Sequence, residues 1–429
     1  MRNKILVLLS LVVFGFGTVT AQEKLQLTLS QAQELALAHN REVQNASLDI
    51  RIAQAARWQT IATMLPQVSA SLDYNSLFGY RIDFGGQSIL MANSGTFTGT
   101  AAIAFSGAQV VAVQMQNIAA EMADITKKQT EQTVLNQVKL LYFSALVTEE
   151  TVSLLEKNLQ NLEKMKTYTE SAVVVGISEQ TDADRIAVQV ASMKNGVNSA
   201  RRSLEMVYNS IRLTLGTDVN TEIELVQGVE ELLSVDDAVA LLDTEFMLGN
   251  NYNYQLLEVS TKLSEKQVAL KKWAFAPSLT TYYSFTKKKI FSDEFSFDMT
   301  PPNALGVSLS IPIFSSWSRM KAVDEARLNL EKQRNTFDAT REALIIQHKQ
   351  LAYNLTSNFE NYETQKENLV VVQRVFDNVT KKYEQGMASS LDLTSSGTEL
   401  VTAQSTYVQA LLNLVTAQIE LENLLNNRK

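Results

Sequence analysis

Hydrophobic and polar residues alternate with a period of two in four short segments of the chain. The segments cover residues 67–76, 96–105, 278–287 and 303–313. Apolar or aromatic side chains recur at nearly every second position, and Ser and Thr fill many of the positions between them. Since successive side chains of a strand point to opposite faces of its sheet, this period is typical of β-strands. The pattern therefore predicts four strands, arranged as two hairpins with long connections.

A second period, with steps of three and four residues, runs through most of the remaining sequence. It predicts helices at residues 28–64, 106–171, 179–215, 234–275, 315–383 and 389–426. The longest of them carry a narrow apolar stripe, as between Leu355 and Tyr383, and are otherwise rich in Gln, Asn, Thr, Ser and Lys. Such a stripe is typical of a coiled coil, and the helix needs neighbours to cover it. A continuous helix over 106–171 would be roughly 100 Å long.

The same order of elements occurs twice in the chain. In each half, a helix, a hairpin, a long helix, a turn and a shorter helix follow one another. Gly176 and Asp182 of the first turn region correspond to Gly386 and Asp392 of the second, both at a distance of 210 residues. A duplicated unit of this length predicts two structural repeats and not an array of short ones. The predicted units are a first repeat at 22–216, a connecting segment at 217–233 and a second repeat at 234–429.

The N-terminal residues predict an exported protein. A short basic start precedes an apolar run over residues 5–19 and the small-residue sequence Val19-Thr20-Ala21. This order is typical of a signal peptide, which we place at residues 1–21; a membrane anchor is the alternative. No later run of about 18 apolar residues is present, so a membrane role would have to come from strands.

The composition gives little support to an enzyme. The chain has no cysteine, and its two histidines, His39 and His348, lie on separate predicted helices. It contains neither a Gly-rich phosphate loop nor a nucleophile elbow. We therefore expect no catalytic residue, no metal site and no cofactor. Loss of Arg2 and Lys4 with the signal peptide changes the formal net charge from −8 to −10, which argues against nucleic acid and anionic lipid surfaces as main partners.

Four strands are too few for one chain to form a closed membrane barrel. An open sheet edge in lipid leaves backbone groups unpaired, and closed barrels need about eight or more strands. Two copies would give eight strands with a filled interior, whereas three copies would give twelve and a lumen. The simplest expectation is a homotrimer, with a shared β-barrel continued by a helical barrel. The alternative is an exported coiled-coil structural or interaction protein of the envelope, without a conducting pore.

Several motifs together resemble the TolC-like outer-membrane efflux family over essentially the whole mature chain. They are the opening LTLSQAQELALAHN, Leu65-Pro66-Gln67 before the first strand, Leu309-Ser310-Ile311-Pro312-Ile313-Phe314 at the end of the fourth, and the turn motifs Tyr168/Gly176/Asp182 and Tyr383/Gly386/Asp392. The resemblance implies a trimeric twelve-stranded β-barrel in the Gram-negative outer membrane, with four strands per chain, continued by a long periplasmic α-helical barrel. It also implies a passive exit duct of a tripartite efflux or type I-like export system. Its partners would be a periplasmic adaptor protein and, through the adaptor, an inner-membrane transporter.

The resemblance also assigns roles to residues at the two turns. Asp392, with Asp182 near it, would line the periplasmic entrance, and Ser395 stands where relatives carry a further aspartate, which makes the ring less acidic. The turn residues that would contact the adaptor are Val175, Gly176, Ile177, Gln385, Gly386 and Met387. Each assignment has a local alternative. A carboxylate in the first turn stabilises a helix by itself, and a glycine between antiparallel helices provides the tight reversal.

Overall fold

The computed structural model describes residues 24–232, 240–291 and 298–426. The predicted signal peptide lies outside these residues, and so does part of the predicted helix at 234–275. Within the described residues, no helix is both long enough and apolar enough to cross a membrane.

The order of elements in the two halves is that of the duplicated unit expected from the sequence. The first half contains β1 (Leu25–Leu27), α1 (Leu29–His39), α2 (Arg41–Ala62), β2 (Gln67–Asn75), β3 (Arg81–Phe84), β4 (Gln87–Leu90), β5 (Asn93–Phe105), α3 (Gly107–Val174) and α4 (Gln180–Leu215). The second half contains β6 (Ile223–Leu225), α5 (Val229–Leu232), a 3-10 turn (Leu248–Asn250), α6 (Tyr252–Trp273), β7 (Ser278–Phe291), β8 (Asn303–Ser310), α7 (Ser318–Glu384) and α8 (Ser390–Leu425).

The predicted helix over 28–64 is two helices in the structure, because the chain breaks at Asn40. This residue has an extended backbone (φ −62°, ψ 131°), so that α1 ends and α2 begins there. Its side-chain oxygen accepts from the N–H of Glu42 at 2.8 Å, and its amide nitrogen donates to the carbonyl of Thr214 at 2.8 Å. The buried amide therefore caps α2 and holds it against the end of α4.

Asn251 does the same in the second half. Its side chain caps α6 by accepting from the N–H of Tyr254 at 3.2 Å, and it donates to the carbonyl of Leu424 at 3.2 Å, near the end of α8. Both asparagines are buried. The predicted helix at 234–275 is therefore also interrupted, and the two halves join their helices by the same device.

Two short strand pairs were not predicted. In the segment between the repeats, β6 pairs in parallel with β1, with Leu25 opposite Ile223. In the connection between β2 and β5, β3 and β4 form a small antiparallel hairpin. Strands of three or four residues are too short for a period of two to be visible in the sequence. The predicted long strands have different ends, because β5 already begins at Asn93 and β7 continues to Phe291.

The four long strands form one antiparallel sheet in the order β2–β5–β7–β8. The hairpins of the two halves join through β5 and β7, from Asn93 opposite Phe291 to Phe105 opposite Leu279. One face of the sheet is apolar and uncovered: the exposed fractions of Val68, Leu72 and Leu305 are 81%, 79% and 77%. The other face carries mainly Ser and Thr. This alternation leaves an open sheet with one apolar side and two free edges.

The helical part is held by apolar clusters that follow the coiled-coil stripes. The residues of the predicted stripe that are buried are Leu355, Tyr362, Phe376 and Tyr383. One cluster surrounds Tyr142 and Leu215 beside β1 and β6, and a second lies along α7 and α8. A third, near the turns, contains residues from α3, α4, α7 and α8, so the two helix pairs meet there.

We predict that Tyr142→Phe destabilises the attachment of β1. The Tyr142 side chain is 1% exposed, and its hydroxyl donates to the carbonyl of Leu27 at 2.9 Å. Loss of this buried bond should lower the free energy of unfolding by about 1 kcal/mol, measured by denaturant unfolding of the detergent-solubilised protein. Tyr353→Phe is the matched control, because that side chain is 76% exposed. Equal unfolding midpoints for the two variants would contradict the prediction.

Candidate functional site at the helical tip

Helices α3 and α4 form one antiparallel pair, and α7 and α8 form the second. The turns that connect the helices within each pair have the same backbone geometry. Val175 and Gln385, directly before the glycines, both have φ −93° and ψ 4°. Gly176 and Gly386 follow with φ 78° and φ 72°. These left-handed conformations cost residues with a side chain roughly 1–2 kcal/mol, which explains the glycine at both positions.

Backbone hydrogen bonds close both turns in the same way. The N–H of Ile177 donates to the carbonyl of Ala172 at 2.9 Å, and the N–H of Met387 donates to that of Lys382 at 2.8 Å. This six-to-one bond, next to a glycine with positive φ, defines a Schellman motif. Turn chemistry alone therefore accounts for the two glycines.

Apolar side chains at the turns point into solvent. The exposed fractions are 67% for Val175 and 80% for Ile177 in the first turn, and 65% for Met387 in the second. Gln385, in the second turn, is exposed as well. A backbone that is already closed by its own hydrogen bonds does not need these side chains for the turn. They form an apolar surface at the end of the chain's longest helices.

Asp392 caps the helix that follows the second turn. Its carboxylate accepts from the N–H of Ser389 at 3.0 Å and from the Ser389 hydroxyl at 2.7 Å, and its own N–H donates to that hydroxyl oxygen at 3.1 Å. The donors from Ser389 hold the pKa of Asp392 below its ordinary value. The carboxylate is exposed, so one residue acts as a cap and still presents a negative charge to solvent.

Asp182, at the matched position of the first half, has a second partner. One of its oxygens accepts from the N–H of Glu179 at 3.4 Å, which caps α4. The other accepts from the hydroxyl of Ser390, which is buried at the start of α8. Asp182 therefore joins the two helix pairs at the tip. Ser390 could not be predicted from the sequence, because a serine in the first turn of a helix is an ordinary capping residue.

Two tyrosines provide further links between the helix pairs. The Thr169 hydroxyl lies 2.5 Å from the Tyr383 hydroxyl, and both side chains are buried. Since the Thr169 hydroxyl donates its only hydrogen to the Met165 carbonyl at 2.9 Å, Tyr383 is the donor between the two. The Tyr168 hydroxyl donates to the Glu384 carbonyl at 3.1 Å. Both tyrosines belonged to the predicted turn motifs, but Thr169 was missed.

Ser395 lies one helical turn beyond Asp392 on α8, and it too is exposed. It lines an open groove of about 1050 Å³ between α4 and α8, together with Asp184 and Thr394. The structure therefore brings Asp182, Asp392 and Ser395 to the same end of the helices. In the parts of the chain that the structure describes, no group of three or more His, Asp or Glu side chains could hold a metal ion.

The chain is similar to known proteins over most of its length. The family model described as outer membrane efflux protein matches residues 32–217 and 247–427. The chain is also similar to outer membrane protein TolC of Escherichia coli (strain K12), with 21% identity over 437 residues, 99% of this chain and 86% of that protein.

Two solved structures show the same fold. VceC, an outer membrane protein of Vibrio cholerae, has a TM-score of 0.72 at 14% identity and covers 92% of this chain and 95% of its own. The open state of MtrE, an outer membrane channel of Neisseria gonorrhoeae, has a TM-score of 0.73 at 16% identity, covering 92% of this chain and 88% of its own.

The lowered pKa of Asp392 predicts a pH dependence at the tip. A carboxyl group whose pKa is lowered on folding stabilises the folded state fully above its ordinary pKa, and loses this effect as the pH falls through the lowered value. Asp392→Asn, which is neutral and of the same shape, should therefore reduce hydrogen-exchange protection of the first turn of α8 at neutral pH. The difference from the unsubstituted protein should vanish in strong acid, after correction for intrinsic exchange rates.

Glu399→Gln provides the control for this measurement, because Glu399 is exposed on the same helix but beyond its first turn. It should leave the protection unchanged at neutral pH. If Asp392→Asn and the unsubstituted protein exchange alike at neutral pH, the charge of Asp392 has no part in capping.

Proposed function

Because the chain belongs to the outer membrane efflux protein family, we propose that it is the exit duct of a tripartite efflux or type I-like export system. Proteins of this family are outer-membrane channels and not enzymes. The finer proposal is a passive conduit, formed by a homotrimer and opened at its periplasmic helical tip by an adaptor protein and an inner-membrane transporter. The observation that carries it is the open sheet with one apolar and one polar face.

The free edges of this sheet support the trimer. Strands β2 and β8 each have a neighbour on one side only, and unpaired backbone groups in lipid cost several kcal/mol each. Pairing β2 of one copy with β8 of the next removes both edges. Three copies give about twelve strands, which leaves room for a lumen lined by the Ser- and Thr-rich face. The apolar face then contacts lipid.

Cysteine cross-linking can test the closure, because the chain has no cysteine of its own. Ser71→Cys on β2 and Ser308→Cys on β8 place one thiol near each free edge, on the polar face. In membranes, a short bis-maleimide should convert this double variant into covalent dimers and trimers on a denaturing gel.

The matched control pairs Ser71→Cys with Thr98→Cys. These two residues are opposite each other within one chain, so the reagent should produce only an internally linked monomer. Monomers alone from the first variant as well would rule out closure of the sheet between copies.

The contacts at the tip support a gate. The pair α7–α8 is held against α3–α4 by the Thr169–Tyr383, Tyr168–Glu384 and Asp182–Ser390 hydrogen bonds. Breaking them would let the second pair move outward and widen the periplasmic entrance, around which Asp392 and Ser395 of three copies would form a ring. The exposed turn residues Val175, Gly176, Ile177, Gln385, Gly386 and Met387 are the proposed contacts of the adaptor, whose approach would break these bonds.

We predict that Tyr383→Phe combined with Ser390→Ala favours the open channel. The substitutions remove the hydrogen bonds Thr169–Tyr383 and Asp182–Ser390 but keep the ring of Tyr383 and the cap made by Asp182. Two bonds of about 1 kcal/mol each correspond to a roughly 30-fold change in the ratio of closed to open channels. Single-channel recording of the purified trimer in planar bilayers measures this ratio.

Tyr353→Phe, on the same helix but far from the tip, should leave the recordings unchanged. Unaltered open probability in the double variant would mean that these bonds do not hold the entrance closed. If neither the unsubstituted protein nor the double variant conducted current, the alternative function would be favoured: an exported coiled-coil protein of the envelope without a conducting pore.

A further inference from the structure

The apolar face of the sheet ends in two lysines. Along β7, the side chains of Leu279, Tyr283 and Phe285 lie on this face, and Lys287 and Lys289 continue the same alternation. Both lysines are exposed. They lie at the end of the sheet that is distant from the helices, because α6 enters β7 near Ser278. In an outer-membrane channel with a periplasmic helical part, this is the outer end of the barrel.

The depth of the two lysines follows from the length of the strand. Ser278, at which β7 begins, is the end of the strand nearest to the helices. From Ser278 to Lys287 the extended strand rises about 30 Å, and a tilt of about 40° leaves about 23 Å along the membrane normal. This is close to the height of the apolar band of a membrane barrel. Lys287 therefore lies at the outer limit of this band and Lys289 just beyond it, at the level of the outer headgroups.

Aromatic side chains surround the lysines at that level. The Lys289 Nζ lies 5.6 Å from the ring centroid of Phe291, and this ring lies 6.1 Å from that of Tyr74. Gly95, opposite Lys289, leaves room for the Phe291 ring, which lies 3.3 Å from the place of a Cβ at that glycine. Phe97 is opposite Lys287. Aromatic rings at such a boundary anchor a membrane protein at headgroup depth, and here one of them lies beside the Lys289 ammonium group.

In the part of the chain that the structure describes, no carboxylate lies against the lysines on their own face. Among the described residues, no ion pair joins Lys287 or Lys289 to a carboxylate. Their neighbours across the strands are Phe97 and Gly95. Lys288 differs, because it points to the polar face, where Asp73 lies in the same row beyond Thr96.

We propose that Lys287 and Lys289 bind the phosphate groups of the phosphorylated glycolipid of the outer leaflet, with the adjacent rings contacting its acyl chains. The charge of the two lysines and their depth in the membrane together identify this ligand. A cation pair that faces lipid at headgroup level complements an anionic headgroup, and long lysine side chains can extend to it along the apolar surface. Each copy in the trimer would carry one such site. The proposal rests on the membrane placement of the sheet and not on the gate.

Native mass spectrometry of the purified trimer with bisphosphorylated lipid A tests the proposal. The double variant Lys287→Gln/Lys289→Gln should bind this lipid with an affinity at least about tenfold lower than that of the unsubstituted trimer. Lys288→Gln, which removes one positive charge from the polar face of the same strand, should bind it as the unsubstituted trimer does. The double variant Lys287→Arg/Lys289→Arg should restore binding, which separates loss of charge from misfolding.

Three results would overturn the proposal. The first is equal binding of lipid A by the Gln double variant and the unsubstituted trimer. The second is equally tight binding of dephosphorylated lipid A, since apolar contacts would then suffice. The third is displacement of lipid A by inorganic phosphate at the same concentration, which would indicate a site for small anions and not for a lipid headgroup.

Discussion

The unpaired backbone groups at the two edges of the sheet are the constraint on which the rest of the structure depends. Strands β2 and β8 each lack a neighbour, and no water is available in the hydrocarbon layer to replace one. Only other strands can satisfy these groups, and identical copies supply them in the correct geometry. Once the strands form a ring, the helices attached to them are also brought into a ring. Their narrow apolar stripes then find partners along the whole length of the helices.

Because the structural unit is duplicated, the two halves cap their helices and reverse the chain in the same way. Asn40 and Asn251 both end one helix, cap the next and donate to the returning helix of their own half. Gly176 and Gly386 both close a Schellman turn. Because these devices occur at matched positions, the two long helix pairs of one chain end at the same level. The corresponding helices of the two halves have nearly equal lengths. The tips of the two pairs therefore lie side by side, and Asp182 can contact Ser390.

The sequence predicted those features that depend on local periodicity or on one backbone conformation. The long strands followed from alternation, the stripe from Leu355 to Tyr383 followed from steps of three and four, and both turns followed from glycine. The break at Asn40 was missed, because an asparagine within a helical pattern looks like a surface residue until its carbonyl partner on α4 is known. The pairing of Asp182 with Ser390 was missed for the same reason: it depends on two segments about half the chain apart. The turn tyrosines were predicted as equivalent, yet Tyr168 and Tyr383 stand at different distances from their glycines and touch each other.

The contacts at the tip differ between the halves in a way that suits an entrance that opens. Asp182 divides its carboxylate between its own helix and Ser390, whereas Asp392 serves only its own helix and remains exposed. The hydrogen bonds between the pairs at the tip, at about 0.5–1.5 kcal/mol each, add a preference of only a few kcal/mol for the closed arrangement. A partner that binds the open arrangement more tightly by a similar amount can reverse this preference. The long coiled coils are far too extensively packed to be separated at that cost, so an opening movement would be confined to the tip, where these hydrogen bonds lie beside the last apolar cluster shared by the four helices.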